Sequence, residues 1–407
     1  PMFKPTAQPR QPEFVALVAI LMAMVAMSID SMLPALGIMA ADLGARQPND
    51  RQLILSMLFL GLSIGQLFYG PLSDSIGRRR ALVIGLVCFV AGSFLCAMAT
   101  SFPLLLAGRL LQGFGAAGPR IVSVAMVRDL HAGRSMARIM SMSMSVFILV
   151  PVFAPAIGQG VLLFASWRMI FAGLCGMGLI AFLWFMMRQP ETLAVQDRKP
   201  FTAIGLWRAV LEVLGHRIAL GYILATGCIF GAFIGYLNST QQIFGEAYGL
   251  GAAFPLYFGS LAAGLGVASI LNSRLVMKFG MQYLSMRAGI LLAVAAVFLM
   301  VTELALGALP PLWLFMAAFG TIFFCSGVLF GNYNALAMEP MGHIAGSASA
   351  VIGTATTAMS LVIGTVIGQA YDGTALPVAI GFAVMGVGAV AAQAWAEGGR
   401  ASLAKSA

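Results

Sequence analysis

Three ionisable residues, Asp30, Arg109 and Arg120, stand in stretches otherwise apolar enough to lie inside a membrane. An arginine at bilayer depth costs at least roughly 2.5 kcal/mol, so it persists only where a bundle interior, a watery cavity or an acid partner receives it. The two arginines are eleven residues apart, which returns to within roughly 20° of the same helix face, about 16 Å further along the axis. One polar pathway along one helix is implied. Asp30 is the only carboxylate deep within an apolar run; the other thirteen acids fall in loops, tails or run ends. On the residues alone two readings of Asp30 and Arg109 stay open. In the first, Asp30 is a protonatable group whose charge is compensated by Arg109 in one state and by a proton in another, which couples proton entry to conformational change. In the second, the two form a static buried ion pair that orients their helices. Arg120 likewise has two readings: it receives an anionic or strongly dipolar substrate, or it snorkels toward the membrane surface and caps carbonyls freed by Pro119.

The elements that must position these residues are membrane helices. In 407 residues, 60% are hydrophobic and only 9% charged, and the mean hydropathy is +0.94, which excludes a soluble multidomain protein. Apolar runs of spanning length are expected at about 14–39, 52–70, 81–99, 102–127, 138–164 and 168–188. After the longest polar break come 217–240, 253–277, 283–304, 311–333, 345–369 and 376–396. The expected fold is all-α and integral to the membrane, with twelve transmembrane helices in two six-helix bundles. Residues 1–190 form the first bundle, 191–215 a linker on the cytoplasmic side and 216–407 the second bundle. Six spans, a linker and six spans is the plan of a secondary transporter with its site between repeats.

Charge fixes an expected orientation. With a cytoplasmic N-terminus, 18 of the 23 basic residues, from Lys4 and Arg10 through Arg78, Arg79, Arg80, Arg198 and Lys199 to Lys405, fall in the even-to-odd loops and tails. Arg46, Arg51 and Arg168 are then outside, and Arg109 and Arg120 embedded. Both termini are expected in the cytoplasm. A net charge of +9 does not imply nucleic acid, because the basic residues alternate with apolar runs instead of gathering on one solvent face.

Other motifs have plainer roles beside the functional ones. Gly70-Pro-Leu-Ser-Asp74-Ser-Ile-Gly77-Arg78-Arg-Arg80 is expected as a loop between spans two and three. Gly70 and Gly77 would permit a tight reversal, and Asp74 would cap the following helix or accept from an arginine. Pro155, Ala154 and Gly158 would bend and closely pack the fifth span. Gly113-Phe-Gly-Ala-Ala-Gly118 is a literal G-x-G-x-x-G, yet it follows no strand, so close helix approach is its expected role. The five cysteines form no C-x-x-C pair, and neither a metal site nor any cofactor is expected. No H-E-x-x-H and no nucleophile elbow occurs, so no enzyme is expected. In the second half Tyr236 and Asn238 on span seven, and Asn332 and Tyr333 on span ten, offer hydrogen-bonding and aromatic groups, for a substrate or for neighbouring helices.

The Gly70–Arg80 segment resembles the loop signature of the major facilitator superfamily, and Arg109-Leu-Leu-Gln112-Gly113-Phe-Gly115 resembles its fourth-span motif. Ile29-Asp30-Ser-Met-Leu-Pro-Ala35, Val127-Arg128-Asp129, Trp167-Arg168 and Arg188-Gln-Pro-Glu-Thr-Leu193 are similar to the drug/proton antiporter branch of the Bcr/CflA type. The fifth-span antiporter motif G-x-x-x-G-P-x-x-G-G appears as Val150-Pro-Val-Phe-Ala154-Pro155-Ala-Ile-Gly158-Gln159, with alanine and glutamine at two of its glycines. The resemblance implies a monomeric multidrug exporter of the bacterial inner membrane, driven by protons as the coupling ion. It implies Asp30 and Arg109 at the coupling and binding positions. Gln112, Arg120, Tyr236, Asn238, Asn332 and Tyr333 become candidate substrate ligands, since spans one, four, seven and ten line the cavity in the family. Gly70, Asp74, Gly77, Arg78, Pro155 and Gly158 become candidate conformational elements. A carrier of an endogenous anionic metabolite is the other transport reading, favoured by Arg120.

Overall fold

The computed structural model describes residues 9–131, 133–198, 200 and 202–406; Lys4 and Lys199 lie outside them. Among the described residues fourteen α-helices occur in order: α1 Gln11–Asp30, α2 Leu36–Asp42, α3 Leu53–Ile76, α4 Arg78–Ala97, α5 Phe102–Leu130, α6 Gly133–Phe164 and α7 Arg168–Arg188. After them come α8 Ala203–Gly215, α9 Arg217–Gln241, α10 Phe254–Phe279, α11 Met281–Leu306, α12 Leu312–Met338, α13 Ala345–Gln369 and α14 Leu376–Ser406. Among the described residues ten stretches are long and apolar enough to cross a membrane. One of them, Leu312–Gln369, holds both α12 and α13, and a shorter apolar helix, Leu149–Phe164, is the C-terminal half of α6. Twelve crossings result, with α1 and α2 sharing the first and α8 crossing nothing.

Two compact units divide the chain, one up to Leu206 and one from Trp207. In the first, α1 packs on α5, α6 and α7, α3 on α5, and α4 on α5 and α7. In the second, α9 packs on α12, α13 and α14, α10 on α12, and α11 on α12 and α14. These are the same six pairings under the correspondence α1 to α9, α3 to α10, α4 to α11, α5 to α12, α6 to α13 and α7 to α14. The internal repeat extends to single backbone angles. Gly77, between α3 and α4, has φ 99° and ψ 153°, and Gly280, between α10 and α11, has φ 81° and ψ 154°. Only glycine takes that conformation without strain, so the turn survives in the second unit although the Arg-rich loop sequence does not.

Two sequence expectations change. Gly70 was expected in the reversal, but α3 continues through Gly70 and Pro71 to Ile76, and Gly77 alone makes the turn. A proline inside a helix forfeits one backbone hydrogen bond, which here does not end a helix held along its length against α5. Conversely, the first span is broken where one helix was expected. α1 stops at Asp30, a 3-10 turn covers Leu33–Ala35, and α2 starts at Leu36. Pro34 has no N–H for the Asp30 carbonyl and restricts Leu33 before it. Ser28 Oγ donates to Val25 O at 2.7 Å and Ser31 Oγ to Met27 O at 2.6 Å, back-bonds of the kind that bend helices.

The core of the first unit is built on missing side chains. A Cβ on Gly113 would come within 2.0 Å of Leu58 O, and one on Gly61 within 2.1 Å of Leu110 O, so α3 and α5 touch backbone to backbone. Gly173 on α7 has open space instead. We expect Gly113→Ala to force these helices apart at a cost of about 1–3 kcal/mol, read as a lower melting temperature in detergent, with Gly173→Ala unchanged. Equal melting of the two variants would refute the close approach.

Candidate functional site

The break in the first span leaves the last carbonyls of α1 without intrahelical donors, and α5 supplies one. Arg109, fully buried, directs its Nη2 to Ser28 O at 3.0 Å and its Nε to Ile54 O at 3.1 Å. Its Nη1 donates to Gln112 Oε1, one turn further along the same face of α5. Gln112 Nε2 donates to Ser93 Oγ at 2.8 Å, and Ser93 Oγ donates to Phe89 O at 2.8 Å. The guanidinium also lies 5.6 Å from the ring centroid of Phe171 on α7. A single arginine therefore ties together α1, α3 and α7 directly, and α4 through Gln112. A cation at a helix C-terminus is also favoured by the backbone dipole.

Asp30 does not pair with it. Among the described residues Asp30, 5% exposed, has neither an ion pair nor a side-chain hydrogen bond. The expected Asp30–Arg109 bridge is corrected: main-chain carbonyls and Gln112 take up the guanidinium two residues before the acid. Placement of the acid and the arginine in neighbouring apolar runs carries no information about a helix break that turns carbonyl oxygens into competitors for the arginine.

The fifth span closes the other side of the break. A Cβ on Gly158 of α6 would fall 1.7 Å from Ser31 O, so this glycine is required where α6 meets the first span. Pro155 lies inside α6, one turn earlier.

At the opposite end of the unit, Arg78 occupies the start of α4. Its guanidinium donates to Asp129 Oδ2 at 2.8 Å, to Ser73 Oγ at 2.8 Å and to Asp74 Oδ1. Asp74 was expected to cap α4 or to accept from an arginine; it does the second. The cap comes from Glu191, whose carboxylate accepts from Arg78 N at 2.9 Å and Arg79 N at 3.2 Å, and from Leu193 N at 3.1 Å. Asp129 and Glu191 were not identifiable as these partners from the sequence. The only available signal was their sign: carboxylates on the same side of the membrane as the Arg78–Arg80 cluster.

The sequence profile of the Major Facilitator Superfamily matches residues 16–365. The chain belongs to that superfamily. It is a multi-pass membrane transporter, 32% identical over 371 residues to the uncharacterized MFS-type transporter YdgK of Bacillus subtilis, with 90% of each chain covered. It is 29% identical over 367 residues to a bicyclomycin resistance protein homolog of Haemophilus influenzae, covering 89% of this chain and 91% of that one. Among solved structures, its fold is similar to that of a D-xylose-proton symporter, with a TM-score of 0.70, 15% identity and coverage of 93% and 95%. The last likeness is one of fold alone.

For a superfamily transporter, the second unit holds its candidate ligands tightly. Asn332 and Asn272 exchange hydrogen bonds at 2.8 and 3.1 Å between α12 and α10. Tyr333 donates to Gln393 Oε1 at 3.1 Å, linking α12 to α14. Tyr236 is buried among the rings of Phe258, Phe319 and Phe323. Asn238 donates to Gly364 O at 3.1 Å while its Oδ1 is buried without a hydrogen bond. Asn332 and Tyr333 thus serve helix association in this state. Arg120 is half-buried on α5 and, among the described residues, makes no ion pair or hydrogen bond through its side chain; the expected capping of carbonyls near Pro119 is absent there.

The Arg109 bracket is testable by stability. Arg109→Met would leave Ser28 O, Ile54 O and Gln112 buried without their donor, at about 1–3 kcal/mol for each unsatisfied group. Arg109→Lys keeps the charge but loses the planar fork. We expect melting temperatures in the order wild type, Lys, Met; a Met variant as stable as wild type would show that the bracket holds nothing.

Proposed function

We propose that this transporter exports small, partly apolar compounds in exchange for protons, with Asp30 as the proton carrier. The observation that supports it is the state of the buried acids. Glu303, also buried, is committed, its Oε1 accepting from Ala375 N at 2.9 Å at the start of α14. Asp30 has no such commitment among the described residues, and it sits where the first span is broken. A carboxyl group so placed can take up and release a proton without first breaking a structural bond. Its neighbour Arg109 holds the broken end in position and acts on the acid through geometry and field. The name of the Haemophilus influenzae relative, a bicyclomycin resistance protein homolog, supports drug export over nutrient uptake. The basic bias of the even-to-odd loops supports cytoplasmic termini in a bacterial inner membrane, and a monomer suffices for the mechanism.

Reconstituted vesicles test the assignment, with bicyclomycin as the first substrate. Asp30→Asn removes the titrating oxygen at nearly constant volume. We expect it to lose uphill transport driven by a pH gradient while keeping energy-independent counterflow. If Asp30→Asn still accumulates substrate against a gradient as wild type does, the proton is carried elsewhere.

One observation favours a second reading. Arg120 offers a cation without a bond among the described residues, half-buried on the same helix face as Arg109. A carrier of an endogenous anionic metabolite would use it as the anion's anchor. Under this reading Arg120→Ala selectively lowers counterflow of an anionic substrate, whereas equal effects on anionic and neutral compounds, or none, would leave the drug-export reading alone.

A further inference from the structure

Between the two sets of spans, α8 carries three different surfaces. At about 100° per residue, Ile204, Trp207, Leu211 and Leu214 fall within an arc of about 80°. They are 69%, 62%, 56% and 38% exposed. Ala209 and Val213, on the far side, are buried against the protein. Half-buried Val210 bridges the two apolar surfaces along one flank, and Arg208 and Glu212 occupy the other. A helix lying in water would not leave four large apolar side chains open on one stripe. A helix lying at a bilayer surface needs this division: one face on the protein, one on acyl chains and one toward water.

The start of α9 sets the position of α8 along the membrane normal. Gly215 ends α8 and Arg217 begins α9, so only His216 separates the helix from a membrane span, a reach of at most about 7 Å. Arg217 donates to Trp395 O at 3.0 and 2.8 Å and lies 5.1 Å over the Trp395 ring, itself 44% exposed on the lipid-crossing α14. Exposed tryptophan and arginine at a span end mark the headgroup level. On its polar flank Glu212 bonds His343 in the turn between α12 and α13, which fixes the rotation of α8 and keeps its stripe facing outward.

We infer that α8 is an interfacial helix whose Ile204–Trp207–Leu211–Leu214 stripe is covered by the lipid surface, buried to the depth of the headgroup and upper acyl chains. The occupant is the bilayer itself, which the span following α8 crosses, and Arg208 borders the stripe where a lipid phosphate would sit. The connection between the two units is therefore anchored in the membrane plane instead of hanging in solvent.

Fluorescence of the full chain tests this in vesicles of phosphatidylethanolamine and phosphatidylglycerol. The emission of Trp207 is taken as wild type minus Trp207→Phe, a change at an exposed position that leaves the fold intact. We expect this component to be quenched by lipids brominated high on the acyl chain more than by lipids brominated at its end, and only weakly by acrylamide. Leu211→Glu, also at an exposed position, should reverse the pattern by lifting the stripe from the lipid. Strong acrylamide quenching without lipid quenching in the wild type would overturn the inference in favour of solvent. Resistance to both quenchers would overturn it in favour of a protein partner, such as a second copy of the chain.

Discussion

A guanidinium group reaching across a helix break is the contact on which the first unit depends. Pro34 supplies no N–H to the Asp30 carbonyl where the first span breaks, and a break inside a membrane exposes carbonyl oxygens where no water can satisfy them. Arg109 answers for one of those oxygens on α1 and for another on α3. It needs Gln112 and Ser93 to extend the network to α4. An arginine suits this task because its donors lie in one rigid plane and can serve two backbones at once. Close approach by glycine does the rest: Gly113 brings α5 onto α3, and Gly158 brings α6 onto Ser31. The polar bracket and the small residues are one design, since the arginine can reach the carbonyls only if the helices carrying them touch.

The same division of labour recurs at the other end of the unit. Arg78 gathers Asp74, Ser73 and Asp129 from α3 and α5, while Glu191, far along the chain, caps the first N–H groups of α4. Fixing the start of α4 thus requires groups from three other segments. Any movement that separates α7 from α4 must break the cap, and any movement of α3 against α5 must break the Arg78 contacts. These bonds lie on the side carrying the basic loops and stabilise the first unit as drawn.

The spans, their number and their order were readable from the chain, because spanning length and apolar composition are local properties. The repeat was readable too, although Lys278–Gly280 had lost the acid and the second glycine of the first-half loop; the structure recovers the relation in the backbone angles of Gly77 and Gly280. Two kinds of feature were not readable. One is competition: nothing local tells whether Arg109 prefers a carboxylate or two carbonyl oxygens, because the answer depends on a break in another helix. The other is partnership across long separation, as between Glu191 and α4, where charge sign gives the side of the membrane and not the contact. The α8 helix escapes a sequence reading for a different reason. Its polar neighbours, from Glu191 to Pro200, mask a short amphipathic period that becomes visible only when the buried and exposed apolar faces are separated.

The contrast between the two buried acids completes the physical picture. Glu303 accepts a hydrogen bond from the first turn of α14, so its position is fixed by a backbone that cannot move independently. Asp30 lies at the end of α1, where the chain changes from α to 3-10 geometry, and among the described residues no group donates to its carboxylate. Its hydrogen-bonding capacity stays open to a proton, a water or a substrate. Burial penalises an unpaired charge, and Arg109 is already engaged by Ser28 O, Ile54 O and Gln112. Whichever species satisfies the buried carboxyl group stabilises the conformation in which it is bound.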